Sequence, residues 1–469
     1  MSRLTPLDMA FLLLENSSRQ IHMTAYQMFK VPARQKKAWV SRVLDSFRNS
    51  EVAAPFNQRL KWLGKDVASW ETVEPDLHYH VRHISVPQPG SMQQFYDIVS
   101  FLNTPLLDRN LPLWDCYIID GIEGNHVAIM VRVHHAMIDG GGALKLFRAA
   151  MSDSAEDKTI RPIWMPRKKR AAKKRTRKRE PQLKQLMSTL SKMPSDIMST
   201  GTEFAKMGAQ SLNLRSGETS LPFSAPQTLF NNVAQSSARR YANCEMSLAD
   251  TKAIAKQTGT TVNDVVTTVI DDALHHYLRD HRAGIDRPLV SLMAMSVRNE
   301  SQAAAGNQVS AELVTMGQPG ANIRERLEQI HESIARVKQK SARLPVTVRQ
   351  FYSVLVFGSS ALSDISSAFK KVPSANVLIS NMVGPQEQLY LGGMPMVAFQ
   401  GLPIVPPGGG LNVTFASFND NICLAIGAAP EAVNEPYKLV QLIERSFQAL
   451  GSATLKKRKA PARKARARA

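Results

Sequence analysis

Apolar positions along this chain fall into strand-like runs and helix-like periods, and the clearest change from one to the other lies near residue 134. Residues 127–133, Val-Ala-Ile-Met-Val-Arg-Val, are β-branched and mostly apolar and predict a strand; Gly140-Gly141-Gly142 then gives way to the helix-like Ala143-Leu144-Lys145-Leu146-Phe147. Between residues 181 and 214, Leu183, Leu186, Met187, Leu190, Met193, Ile197, Met198, Phe204 and Met207 recur mostly at spacings of three or four, broken by Pro194 and Gly201, and predict amphipathic helices. Further helices are expected at 248–257 and 262–279, and strands near 289–295, 309–315, 376–379, 411–415 and 422–426. No repeat period is evident. The most apolar stretch, 352–362, is short and interrupted by Gly358, Ser359 and Ser360, below the roughly 18 to 20 residues a membrane-spanning helix needs.

A chain of 469 residues exceeds what one core usually supports, so two packed domains are expected. The pattern divides it into an N-terminal α/β domain over 1–155, a basic linker with amphipathic helices over 156–220, a C-terminal domain over 221–452 and a basic tail over 453–469. Charge sharpens this division. The formal net charge is +20, yet residues 167–179 hold ten Lys or Arg and 456–468 hold eight, with no acid in either run; setting both aside leaves a body near +2. Cys116, Cys244 and Cys423 are widely spaced and form no CxxC, which points to a reducing compartment and structural thiols. The N-terminus has no basic region followed by a long apolar core and cleavage site, so a cytoplasmic protein is expected, peripheral to membranes if it meets them.

Candidate chemistry sits at the strand-to-helix change, in His134-His135-Ala136-Met137-Ile138-Asp139-Gly140. An imidazole there can be neutral near pH 7 and take a proton from an alcohol attacking a carbonyl. Asp139, four residues after His135, can turn back under the strand to organise backbone or pair with a cation, and Gly140 permits a positive φ or a close approach. A lone histidine at a strand end is most often a satisfied structural group, but HHxxxDG arises by chance on the order of once in a thousand such chains, which makes the whole pattern the stronger signal. A metal site is the competing reading; neither HExxH nor a Cys pair accompanies the histidines, and none is assigned.

With HHxxxDG, seven further segments stand in order: Leu4-Thr5-Pro6-Leu7-Asp8 through Glu15; Pro112-Leu113-Trp114; Thr261-Val262-Asn263-Asp264; Ser296-Val297-Arg298; Gly306-Asn307-Gln308-Val309-Ser310; Asn376 through Asn381 with Gly384-Pro385; and Gly410-Leu411-Asn412. In these the chain resembles the bacterial wax ester synthase/diacylglycerol acyltransferase family of the CoA-dependent acyltransferase superfamily. It departs from the family pattern at Gln20-Ile21-His22-Met23-Thr24 and at Ser380-Asn381-Met382-Val383-Gly384-Pro385. The resemblance implies two chloramphenicol-acetyltransferase-like α/β domains, each a mixed sheet with packed helices, and an active-site tunnel at their interface.

It also implies an O-acyltransferase moving a fatty acyl group from acyl-CoA to a long-chain alcohol or diacylglycerol, without a covalent acyl-enzyme and without a cofactor. His135 is then the general base, His134 a supporting group, and Asp139 structural through a pair with Arg298. The oxyanion donor is expected from Asn263, Asn412 or the backbone of Gly408-Gly409-Gly410. Asn263 and Asp264 equally fit plain helix-cap chemistry, and Pro112-Leu113-Trp114 a structural strand start. The basic segments lack interleaved aromatics, which favours an anionic membrane or lipid-inclusion surface over specific nucleic-acid binding. Two alternatives remain at this stage: an acyltransferase with another acceptor, and a non-catalytic lipid-inclusion or nucleic-acid scaffold.

Overall fold

A computed structural model describes residues 2–4, 8–9, 11–12, 15–63, 66–138, 140–166, 224–232, 236–296, 309–343, 373–385, 387–405 and 408–455. The amphipathic stretch expected at 181–214, the apolar 352–362 segment and both basic runs lie outside these residues, as do Asp139 and Arg298.

The first half runs β1 (Ser2–Arg3), β2 (His22–Lys30), α1 (Ala33–Arg48), β3 (Gln58–Leu63), β4 (Asp66–Thr72), α2 (Leu77–His80), β5 (Val81–Ser85), α3 (Met92–Asn103), β6 (Trp114–Ile122), β7 (His126–His134) and α4 (Gly140–Ala150). The second runs β8 (Arg240–Ser247), α5 (Leu248–Thr258), α6 (Val262–Asp280), β9 (Val290–Ser296), β10 (Val309–Thr315), α7 (Ile323–Arg343), β11 (Val377–Val383), β12 (Tyr390–Leu391), β13 (Met394–Leu402), β14 (Leu411–Phe418), β15 (Asn421–Ala428) and α8 (Pro436–Thr454). Two six-stranded mixed sheets result, ordered β12-β13-β2-β7-β6-β5 and β10-β9-β11-β14-β15-β8, beside a small β1-β4-β3 sheet. This is the expected pair of mixed α/β units.

Strand β7 is the centre of the first sheet, and its alternation sorts the helices. Val127, Ile129, Val131 and Val133 join a core with Trp39, Val40 and Val43 of α1 and Phe147 of α4. Ala128 and Met130 point the other way, onto Phe95, Tyr96 and Val99 of α3. Arg132 shares that second face and is buried; it stays ionised because Asp115, its register partner on β6, takes its guanidinium in a two-pronged pair, with Pro105 O accepting a third N–H at 2.8 Å. Burying one member alone would cost far more than burying the matched fork.

Two features depart from the expected domain limits. Residues 156–166, expected in the linker, belong to the first core: Trp164 is buried against Trp114 (centroids 4.6 Å) and edge-on to Phe47 (5.1 Å). Strands β12 and β13, expected in the C-terminal domain, instead complete the first sheet, β13 pairing antiparallel with β2 from Met396–Phe29 to Leu402–Thr24. The edge of β2 is thereby covered, which removes an exposed row of backbone donors and acceptors. The second unit buries α6 almost throughout, and Asp271 and Asp272 of α6 hold Arg326 of α7 while Ser446 of α8 donates to Asp272 at 2.7 Å. Asn103 joins the units by donating to Tyr241 Oη of β8 at 2.6 Å, and Asn243 donates to Tyr26 Oη at 3.0 Å.

Candidate active site

Strand β7 ends in a tight turn in which Met137 N–H donates to His134 O (2.9 Å) and Ala136 N–H donates to His134 Nδ1 (3.0 Å). His134 is wholly buried and its imidazole closes the turn from inside. A ring whose Nδ1 accepts carries its proton on Nε2 when neutral. That edge faces Glu15 Oε1 at 3.4 Å, an electrostatic contact rather than a full hydrogen bond. The strand end is pinned from both sides, His134 N–H to Leu113 O (2.9 Å) and His135 N–H to Ile21 O (3.0 Å).

His135, half-buried, lies with its ring 5.1 Å from that of Phe11 and forms part of the wall of a cavity of about 390 Å³ between the sheets, within the range of about 300–1,000 Å³ common for ligand sites. From the first sheet come Val131 and Val133 of β7, Met23 of β2 and Phe399 of β13, with Ala143, Leu144 and Phe147 of α4. The second sheet contributes Leu378, Ser380, Asn412 and Thr414. The lining is apolar apart from His135, Thr24 and this last polar group, where Ser380 Oγ and Thr414 Oγ1 share a hydrogen bond of 2.7 Å. Asn412 donates from Nδ2 to Ile404 O (2.7 Å), so one amide hydrogen of that group is committed to structure and, among the described residues, one remains.

The other expected site residues separate. Asn263 is in the first turn of α6 and does not line this cavity. Thr261 and Asp264 form a capping box there, and His331 Nδ1 lies 2.7 Å from Asp264 Oδ2, so Asn263-Asp264 reads as cap chemistry. Gly410 N–H donates to Phe230 O at 2.8 Å and is spent. Gly140 opens α4, and Asp139 with Arg298 lies outside the described residues. Pro112-Leu113-Trp114 supports the turn: Leu113 packs with Leu12 and Ala136, while Trp114 donates to Phe56 O (2.8 Å) and stacks on His80 at 4.4 Å. All three cysteines are buried and free. Among the described residues no three His, Cys, Asp or Glu converge as a metal would require, and no helix is long and apolar enough to cross a membrane.

Glu15 closes the N-terminal segment that carries the family resemblance, but sequence alone assigns it no role. Its buried carboxylate accepts from Ile21 N–H (3.2 Å) and Arg109 (3.2 Å), and Arg109 also donates to Leu12 O (2.7 Å). Burial alone would raise its pKa; His134, Ile21 N–H and Arg109 outweigh that and hold it below the ordinary carboxylate value. His22, opposite His134 in the ladder, meets Asn103 at 3.0 Å; burial first, then Arg132, pushes it down to about 4, so it is neutral near pH 7.

The chain matches the family model described as wax ester synthase/diacylglycerol acyltransferase catalytic domain over residues 4–266, and the WS/DGAT C-terminal domain over 305–451. A probable diacylglycerol O-acyltransferase of Mycobacterium tuberculosis, Tgs4, is 53% identical over 457 residues, 96% of either chain. The O-acyltransferase WSD of Acinetobacter baylyi is 31% identical over 452 residues, again 96% of each. Among solved structures, a wax ester synthase/diacylglycerol acyltransferase from Marinobacter aquaeolei VT8 superposes with a TM-score of 0.76 at 25% identity, covering 97% of this chain and 100% of that one. The first condensation domain of the calcium-dependent antibiotic synthetase shares the fold at a TM-score of 0.54 and 14% identity, covering 97% and 96%.

Proposed function

The chain belongs to the wax ester synthase/diacylglycerol acyltransferase family and is an O-acyltransferase acting on lipid acceptors, and from that premise we propose that it moves a fatty acyl group from acyl-CoA to the hydroxyl of a long-chain alcohol or diacylglycerol, with His135 as general base. The observation that carries this reading is His135 in the wall of an apolar cavity built by both sheets. A neutral His135 takes the hydroxyl proton as the oxygen attacks the thioester carbonyl. The C–S bond then breaks, and CoA thiolate leaves with the proton returned by the imidazolium. Thr24 lines the cavity but spends its hydroxyl hydrogen on Asn103 Oδ1, which leaves Ser380, Asn412 and Thr414 as the polar groups able to meet the tetrahedral oxyanion, and the second amide hydrogen of Asn412 is the best candidate.

Because no side-chain nucleophile enters this scheme, CoA release requires acceptor. Purified protein given palmitoyl-CoA alone should release no stoichiometric burst of CoA, and adding hexadecanol or diacylglycerol should start turnover; a burst without acceptor would replace the scheme with a covalent one. The ratio of the two acceptor rates identifies the preferred product, wax ester or triacylglycerol. For Asp139 the proposed role is structural, through Arg298, so Asp139→Asn should lower stability together with rate. The basic runs 167–179 and 456–468 are proposed to hold the enzyme peripherally at an anionic lipid surface, each Lys or Arg near the surface contributing about 1 kcal/mol.

A further inference from the structure

Glu15 faces His134 directly and reaches His135 only through the backbone of Ile21. Its Oε1 accepts Ile21 N–H at 3.2 Å, and Ile21 O in turn accepts His135 N–H at 3.0 Å. The same Oε1 faces His134 Nε2 at 3.4 Å, while Nδ1 of that ring takes the Ala136 N–H that closes the turn. Arg109 bridges Glu15 Oε2 and Leu12 O and so anchors the segment whose Phe11 ring lies against His135. We infer that Glu15 is a positioning residue for the base: its carboxylate holds the proton of His134 on Nε2, which keeps Nδ1 free to accept from Ala136 and holds the turn that presents His135 to the cavity.

The geometry demands one tautomer. Were the proton on Nδ1, it would oppose the Ala136 N–H across 3.0 Å, and the turn would lose its internal acceptor. A carboxylate at Nε2 favours the correct form and a neutral amide does not, because the amide can donate to a bare Nε2 as readily as accept from a protonated one. Burial adds force to this, since Glu15 and His134 side chains are 1% and 0% exposed and water offers neither an alternative partner.

The inference rests on the reading of His135 as base, and two measurements on the full chain keep their failures apart. In ¹⁵N-histidine spectra of the wild-type protein, the His134 ring, assigned by its loss in His134→Gln, should be neutral with Nε2 protonated; an Nδ1-protonated or doubly protonated ring overturns the inference whatever the activity. Glu15→Gln should lower kcat about tenfold, the size of a weakened charge-assisted contact, with both KM values within about twofold. In the His134→Gln background it should cost less than about twofold further if Glu15 acts through that ring. An unchanged kcat in folded Glu15→Gln beside an active wild type sinks the inference alone. An inactive wild type with the expected ring sinks the base assignment and leaves the Glu15–His134 pair standing. Should Glu15→Gln not fold, the wild-type ring decides.

Discussion

Phe147→Ala should lengthen the chain this enzyme prefers. Helix α4 presents Ala143, Leu144 and Phe147 to the cavity, and the Phe147 ring meets Phe399 edge-on at 5.9 Å, so the two rings form one apolar wall. Removing a buried phenyl costs about 3–5 kcal/mol in a filled core; here the ring already borders open space, which places the cost near the lower figure, inside the roughly 5–15 kcal/mol by which a folded protein is stable. The vacated volume adjoins the 390 Å³ cavity and can take further methylenes. Each methylene newly housed is worth about 0.8 kcal/mol, about fourfold in kcat/KM, so two more carbons should raise the stearoyl-to-palmitoyl preference about fifteenfold. The assay is competition: palmitoyl- and stearoyl-CoA in one mixed-micelle reaction, product ratios read by mass spectrometry against wild type, then the same with hexadecanol and octadecanol. A shift in one series alone says which chain occupies this wall. A folded variant with ratios unchanged within twofold in both series would refute the assignment of the cavity to a fatty chain.

Other outcomes follow from the same geometry. Asn412→Ala should lower kcat about a hundredfold if its free amide hydrogen meets the oxyanion, beyond the 1–3 kcal/mol of stability lost with the Ile404 contact; lost stability with kcat retained would leave it only a structural role. Trp114→Phe should lower the unfolding free energy read from urea titration by about 1–3 kcal/mol, since Phe56 O loses its donor, with kcat retained; a large loss of rate in a stable variant would argue for chemistry in that segment. His22 is neutral in the fold, at about 4 against 6.5 when free, so below pH 6.5 the unfolded chain binds the extra proton and stability falls as pH drops from 6.5 toward 4, by about 3 kcal/mol for this group. His22→Gln should flatten that decline in pH-dependent urea titrations, and an unchanged slope would speak against it. Deleting 456–469 while neutralising 167–179 should reduce sedimentation with anionic liposomes at low salt; equal sedimentation would remove the lipid-surface role of the basic runs.

What could be read from sequence was what local periodicity encodes. Helices expected at 248–257 and 262–279 are Leu248–Thr258 and Val262–Asp280, and the strand at 309–315 is Val309–Thr315. Asn263-Asp264 fits helix-cap chemistry in the sequence, and the cap is the box of Thr261 with Asp264. The helix Ile323–Arg343 carries the same signal in Leu327, Ile330, Ile334 and Val337. The crossing of residues 390–402 to the first sheet carries none: a strand's alternation states which face is buried, not which of two sheets it joins. The site divided in the same way. His135 and Asn412 line one cavity, whereas Asn263, also a candidate donor from sequence, lies in the first turn of a capped helix. The burial of Glu15 beneath His134 depends on contacts over more than a hundred residues of chain, which spacing cannot express.

His135, as proposed, removes the acceptor's proton. That role is tested most directly by acceptor-dependent CoA release from palmitoyl-CoA in wild type and His135→Ala, both shown to be folded. The kcat of the variant should fall by a factor of about 10² to 10⁴, while His134→Ala keeps measurable turnover. A His135→Ala protein turning over within tenfold of wild type would contradict it.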